Sequence, residues 1–133
     1  MITLKVKSEL HELKKVRSFL KNSLEGKETS EKDYYIMELS LVEVCINIIK
    51  YAYPKKTGEI YLRSWVKENN IFFEIRDDGI PFDPRTTKKP DISEIIEKEK
   101  KGGFGVFLIR SLMDRVEYRR ENNQNILIMN KSF

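Results

Sequence analysis

The sequence predicts an α+β domain, a two-layer sandwich with helices packed on one face of a mixed, mainly antiparallel sheet. Two observations carry most of that expectation. Strand-like alternation occurs at the start, in the middle and near the end, with two helical stretches after the first strand. The order runs strand, two helices, hairpin, long loop, helix, hairpin, which groups strands with strands rather than in βαβ units.

Each element has its own signal. Ile2, Leu4 and Val6 alternate with Thr3, Lys5 and Lys7, as in a half-buried strand. Ser8 reads as a helix cap, and Leu10, Leu13, Val16, Phe19 and Leu20 follow at helical spacing. The polar stretch 22–31 contains Gly26 and reads as a loop. A second helix is expected from about Lys32 to Ala52, stopping before Pro54. Ile60, Leu62, Ser64 and Val66 share one face of a strand, and Ile71, Phe73 and Ile75 one face of the next, with Asn69-Asn70 as the hairpin signal. Residues 78–103 hold Pro81, Pro84, Pro90 and five lysines and read as a loop, with a helical turn around Ile92–Ile96. An apolar helix is expected from Val106 to about Met113. A last hairpin joins 116–119 to 125–129 across Asn122-Asn123.

With 133 residues, the chain fits one domain. At 40% apolar and 35% charged it can bury a core and keep a polar surface. The net charge of +4 suits an anionic ligand or acidic partner, yet the charge is spread out, which argues against nucleic acid as the partner. Cys45 is the single cysteine, so an internal disulfide and a cysteine-based metal site are excluded. No apolar run reaches membrane-spanning length, and the N-terminus lacks the apolar core of a signal peptide. The expectation is a cytoplasmic protein with no membrane partner.

Three places break the apolar pattern. The second helix is apolar on most sides, but Ser40, Glu43, Asn47 and Lys50 fall in a stripe roughly 80° wide at about 100° per residue. Glu43 and Asn47 are i, i+4 neighbours. A solvent-facing seam and a polar site are both compatible with this stripe. Asp77 keeps the phase of Ile71, Phe73 and Ile75, which would bury a carboxylate; a turn at Asp77-Asp78-Gly79 is the plainer alternative. Gly102-Gly103-Phe104-Gly105 runs into an apolar helix, where backbone N–H groups can receive an anion; a glycine-capped loop is the alternative.

Taken together, in this order, these segments resemble the GHKL ATPase superfamily, and more closely the stand-alone bacterial anti-sigma factor serine/threonine kinases. Residues 41–53 look like the N-box, 77–84 like the first glycine box and 102–114 like the second. The resemblance implies the Bergerat ATP-binding fold, with the ATP lid at about 85–103. By resemblance, Glu43 is the catalytic base and Asn47 the ligand for Mg²⁺ bridging the ATP phosphates. Lys50 lies near phosphate, Asp77 accepts from the adenine amino group, and Gly79 lets adenine approach. Gly103, Phe104 and Gly105 form the phosphate-side turn of the lid. Two positions depart from the pattern: Tyr51 replaces the usual histidine, and Ile48 the usual small residue.

The function so implied is an ATP-binding serine/threonine protein kinase and anti-sigma factor. Its partners would be a STAS-domain anti-anti-sigma protein, which it phosphorylates, a sigma factor, and a second copy in a homodimer. The alternative is an ATP-dependent partner-binding switch with little or no kinase activity.

Overall fold

The computed structural model describes residues 1–83 and 112–133. Strands β1 (Ile2–Lys7), β2 (Glu59–Lys67), β3 (Asn70–Asp77), β4 (Arg115–Glu121) and β5 (Gln124–Ser132) form one sheet in the order β1-β2-β3-β5-β4. All four pairings are antiparallel. Helices α1 (Leu13–Ser23) and α2 (Glu31–Asn47) cover one face. This is the expected two-layer α+β architecture. The helix from Val106, the turn at Ile92–Ile96 and the lid at 85–103 lie mostly or wholly outside the described residues.

Burial against the helices sets the register. Val16, Phe19 and Leu20 of α1, with Met37 and Leu41 of α2, meet Ile71, Phe73 and Ile75 in one core. Phe19 and Phe73 pack with ring centroids 6.5 Å apart. A shift of one residue would turn every apolar side chain of β3 to the other face. That constraint also moves the first hairpin turn. It lies at Glu68-Asn69, with φ of 51° and 62°, one residue before the expected Asn69-Asn70. Asn70 is instead paired with Lys67, which keeps Ile71 facing the helices. The second turn, Asn122-Asn123, falls where expected, again with φ positive at both positions, as two-residue hairpins require.

Two helix signals resolve differently from expectation. Ser8 caps no helix: its hydroxyl accepts from Gly58 N at 2.9 Å, and its own N–H donates to Gly58 O at 2.9 Å, fastening the end of β1 to the chain before β2. A 3₁₀ turn, Leu10–Glu12, then leads into α1. The second helix does reach Ala52, but not as one α-helix. Ser30 caps it by accepting from Asp33 N at 3.0 Å, and after Asn47 the chain widens into a π turn, Ile48–Ala52, closed by Tyr53 N donating to Ile48 O at 3.0 Å. Such π turns recur at functional sites. Among the described residues no helix is long and apolar enough to cross a membrane.

Candidate functional site

One cross-sheet row holds the polar break. Register aligns Val6, Ile60, Asp77, Asn125 and Arg120 across the sheet on the helix-covered side. The first two are apolar and the last three polar, so the polar cluster occupies the β3-β5-β4 end of the row. Asp77 is 2% exposed, as its phase with Ile71, Phe73 and Ile75 predicts. Its Oδ1 accepts from Gly79 N at 2.9 Å and from Asn125 Nδ2 at 2.8 Å. Burial pushes its pKa above the usual aspartate value, and those two donors, with the Arg120 charge, pull against the shift.

The chain beyond Asp77 is pinned on both sides. Arg120 Nη1 donates to Gly79 O at 2.8 Å, and Asn125 Nδ2 to Ile80 O at 2.8 Å. On the helix side, Ile80 N donates to Ala52 O at 2.9 Å. Gly79 presses on that turn: an added Cβ would overlap the Ala52 carbonyl oxygen and lie 2.7 Å from its carbon and its Cβ. The Tyr53 hydroxyl accepts from Asp78 N at 2.6 Å and donates to Glu59 O at 2.7 Å. Tyr51, half exposed, stacks on Phe82 with centroids 4.9 Å apart.

Between the π turn and this loop lies a narrow cleft of about 20 Å³ that opens to solvent. Its walls are apolar, from Val44, Ile48, Ile75, Phe82 and Leu127, with Asn47, Asp77, Tyr118 and Asn125 as the polar groups. A mostly apolar cleft with a few placed polar groups is the usual form of a small-molecule site. The Asn47 amide nitrogen is buried and has no hydrogen-bond partner, so this side chain is uncommitted within the described protein.

Residues 6–131 match the family described as histidine kinase-like ATPase domain. The chain belongs to that family. It is 30% identical over 96 residues to the serine-protein kinase RsbW of Bacillus thuringiensis (strain Al Hakam) and to that of Bacillus cereus (strain 03BB102), covering 69% of this chain and 60% of each relative. The chain thus spans about three-fifths of the length of these curated relatives. The fold is also that of the histidine kinase AdeS of Acinetobacter baumannii, at a TM-score of 0.51 and 15% identity over 99% of this chain and 68% of the other.

In this histidine kinase-like ATPase domain the structure brings Asn47 and Asp77 to one cleft from opposite walls, with Gly79 beside it. Glu43 sits one turn before Asn47 on the same side of α2, half-buried. Burial raises its pKa, and Lys50 partly offsets the shift. Lys50 itself is exposed, while Ser40, at the other end of the stripe, is 1% exposed. The stripe therefore climbs from core to surface and is not a solvent seam along its whole length. Gly103, Phe104 and Gly105 lie outside the described residues. Sequence reasoning missed Asn125, Tyr118, Arg120 and Phe82. The signal for Asn125 was available: it shares the phase of Leu127 and Met129, the same anomaly that singled out Asp77. Tyr118 and Arg120 give no such signal, because a tyrosine or arginine on an edge strand is ordinary.

Proposed function

We propose that this chain is an ATP-binding serine/threonine protein kinase that acts as an anti-sigma factor and phosphorylates a STAS-type anti-anti-sigma protein. One observation carries the nucleotide reading: a single apolar cleft lined by a buried carboxylate, Asp77, and an uncommitted amide, Asn47. Asp77 suits the amino edge of adenine, because a carboxylate accepts where a guanine carbonyl would also accept. Similarity to the serine-protein kinases RsbW supports the choice of reaction.

The residues present fit a Mg²⁺ held jointly with the nucleotide. No group of three or more His, Cys, Asp or Glu that could cage a metal occurs among the described residues. An unpartnered Asn47 amide can supply one oxygen ligand, with amide O and N interchangeable by a flip, while water and phosphate oxygens supply the rest. Mg²⁺ so held would neutralise phosphate charge during transfer. Glu43 is then the base. The serine hydroxyl oxygen bonds to the γ-phosphorus, the bond from that phosphorus to the β–γ bridging oxygen breaks, ADP leaves, and the hydroxyl proton passes to the Glu43 carboxylate. Partial burial with a raised pKa makes that carboxylate a better proton acceptor than one free in water.

The test is transfer from labelled ATP to a purified STAS-type protein. Wild type is expected to label a serine of that protein, and Glu43→Gln to lose about 10²-fold or more in rate while ATP affinity stays near wild type. Wild-type rates in Glu43→Gln would remove Glu43 as the base. Tight ATP binding with no transfer to any STAS protein would leave the partner-binding switch in place of the kinase.

A further inference from the structure

Asn125 is 4% exposed, and its side-chain amide meets five partners. Nδ2 donates to Asp77 Oδ1 and to Ile80 O, each at 2.8 Å. Oδ1 accepts from Tyr118 OH at 2.6 Å, Arg120 Nη1 at 3.1 Å and Phe82 N at 3.3 Å. Both amide protons are thereby used. The amide has one workable orientation. Turned over, its oxygen would face a carboxylate and a carbonyl, and its N–H₂ would face a backbone N–H and a guanidinium.

The consequence falls on Asp77. Its Oδ1 is occupied by two donors, Asn125 Nδ2 and Gly79 N. Its Oδ2 accepts no hydrogen bond among the described residues, and Asp77 lines the cleft. Two fixed donors on one oxygen also fix the plane of the carboxylate, and with it the direction of the other oxygen. Asn125 holds the chain beyond Asp77 as well, through Ile80 O and Phe82 N, so the wall of the cleft and the acceptor within it share one anchor.

We infer that Asn125 is a positioning residue for base selection: by engaging one oxygen of Asp77 it presents the other to the cleft as a fixed acceptor, favouring a 6-amino purine over a 6-keto purine. This rests on the reading of Asp77 as the adenine acceptor. Without the anchor, the carboxyl group can swing or take up a proton, and a protonated carboxyl can donate to a 6-keto oxygen. Loss of Asn125 therefore relaxes the choice of base, beyond any general weakening of the site.

The experiment measures Mg²⁺-free ADP and GDP binding by calorimetry in the whole chain, for wild type, Asn125→Leu and Asp77→Asn. Wild type is expected to prefer ADP. Asn125→Leu is expected to lower the ADP-to-GDP affinity ratio by about tenfold, the worth of one charge-assisted hydrogen bond. A purely structural role would weaken both nucleotides alike, and an unchanged ratio in folded Asn125→Leu overturns the inference. Asp77→Asn separates the two levels. If it leaves the ratio at the wild-type value, the reading of Asp77 fails. If it collapses the ratio while Asn125→Leu does not, only the role of Asn125 fails. Should Asn125→Leu not fold, the exposed Arg120→Gln carries the test, because it removes the guanidinium bonds to Asn125 Oδ1 and Gly79 O. A fall of about threefold in the ratio supports the inference, and an unchanged ratio overturns it.

Discussion

Ile80 N donates to Ala52 O at 2.9 Å, and this bond joins the two walls of the cleft. Ala52 ends the π turn after α2, and Ile80 lies three residues beyond the end of β3. The approach is close because Gly79 has no side chain: an added Cβ would overlap the Ala52 carbonyl oxygen itself. Gly79→Ala must therefore push the loop off the π turn. We expect a loss of about 1–3 kcal/mol in stability, as for other over-packed contacts. Because both walls of the cleft shift together, ADP affinity is expected to fall as well. Denaturant unfolding and calorimetry check the pair, and a variant with wild-type stability and wild-type affinity would mean that the loop can yield without cost.

Tyr53 is the second tie between the same elements. Its hydroxyl bridges Asp78 N and Glu59 O, and burial pushes its pKa up to about 12, so it stays a neutral hydroxyl throughout the working range. Tyr53→Phe leaves a backbone donor and a backbone acceptor without this partner. The expected cost is about 1–2 kcal/mol by urea unfolding. Amide exchange at Asp78 should quicken with it. Unchanged exchange there would show that solvent or another group replaces the hydroxyl.

Much of this arrangement was legible in the sequence. Asp77 stood out because a carboxylate shared the phase of three apolar strand residues, and the structure buries it there. Glu43 and Asn47 stood out by their i, i+4 spacing on an apolar helix, and both are half-buried on one side of α2. The π turn was not legible. Ile48 to Ala52 has ordinary helical composition, and the end of the turn is held by tertiary bonds, Ile80 N to Ala52 O and Asp78 N to the Tyr53 hydroxyl. Ser8 was misread for a similar reason: its partner, Gly58, is fifty residues away, whereas a cap is a local feature. Arg120 and Tyr118 escaped notice because their role depends on β3 lying on the other side of β5, which sets Asp77 beside Asn125, and that long-range pairing is not written in the local hairpin that joins β4 to β5.

Glu74 provides a control away from the cleft. It lies on the opposite face of β3, 3% exposed, and accepts from Arg63 at 2.8 Å and from Arg76 at 2.6 Å. Burial pushes its pKa up, but the two guanidiniums override this and hold it below the usual glutamate value. A depressed folded-state value means that its contribution is present above the unfolded pKa and is lost as pH falls through the folded one. Both arginines keep substantial contact with water, so the pair is worth only about 1 kcal/mol. Glu74→Gln is expected to cost about that at pH 7 and progressively less below about pH 4, with nucleotide binding unchanged. A deficit that persists undiminished at pH 3 would assign the effect to packing instead of charge.

Asp77 has the opposite sign, and Asp77→Asn should therefore separate stability from binding. Burial holds its pKa above the ordinary aspartate value, despite Asn125, Gly79 and Arg120. The folded state thus binds the proton more tightly than the unfolded chain does. Stability from this group is fully present below the unfolded pKa and is lost as pH rises through the folded one. Above that window the ionised carboxylate is carried at a cost. An asparagine removes the charge and can still offer one oxygen to both Gly79 N and Asn125 Nδ2. The variant should melt at or above the wild-type temperature at pH 7, with that advantage shrinking as pH falls through the raised folded-state value and gone below the unfolded aspartate value of about 4. Its amide nitrogen would then stand where the second carboxylate oxygen stood, placing a donor against the adenine amino group. ADP affinity should fall by about tenfold or more. Thermal melts across pH, paired with calorimetry at pH 7, decide it. A variant that is less stable at pH 7 would mean that the carboxylate is there for the fold, and one that binds ADP as wild type does would remove Asp77 from the base-binding site.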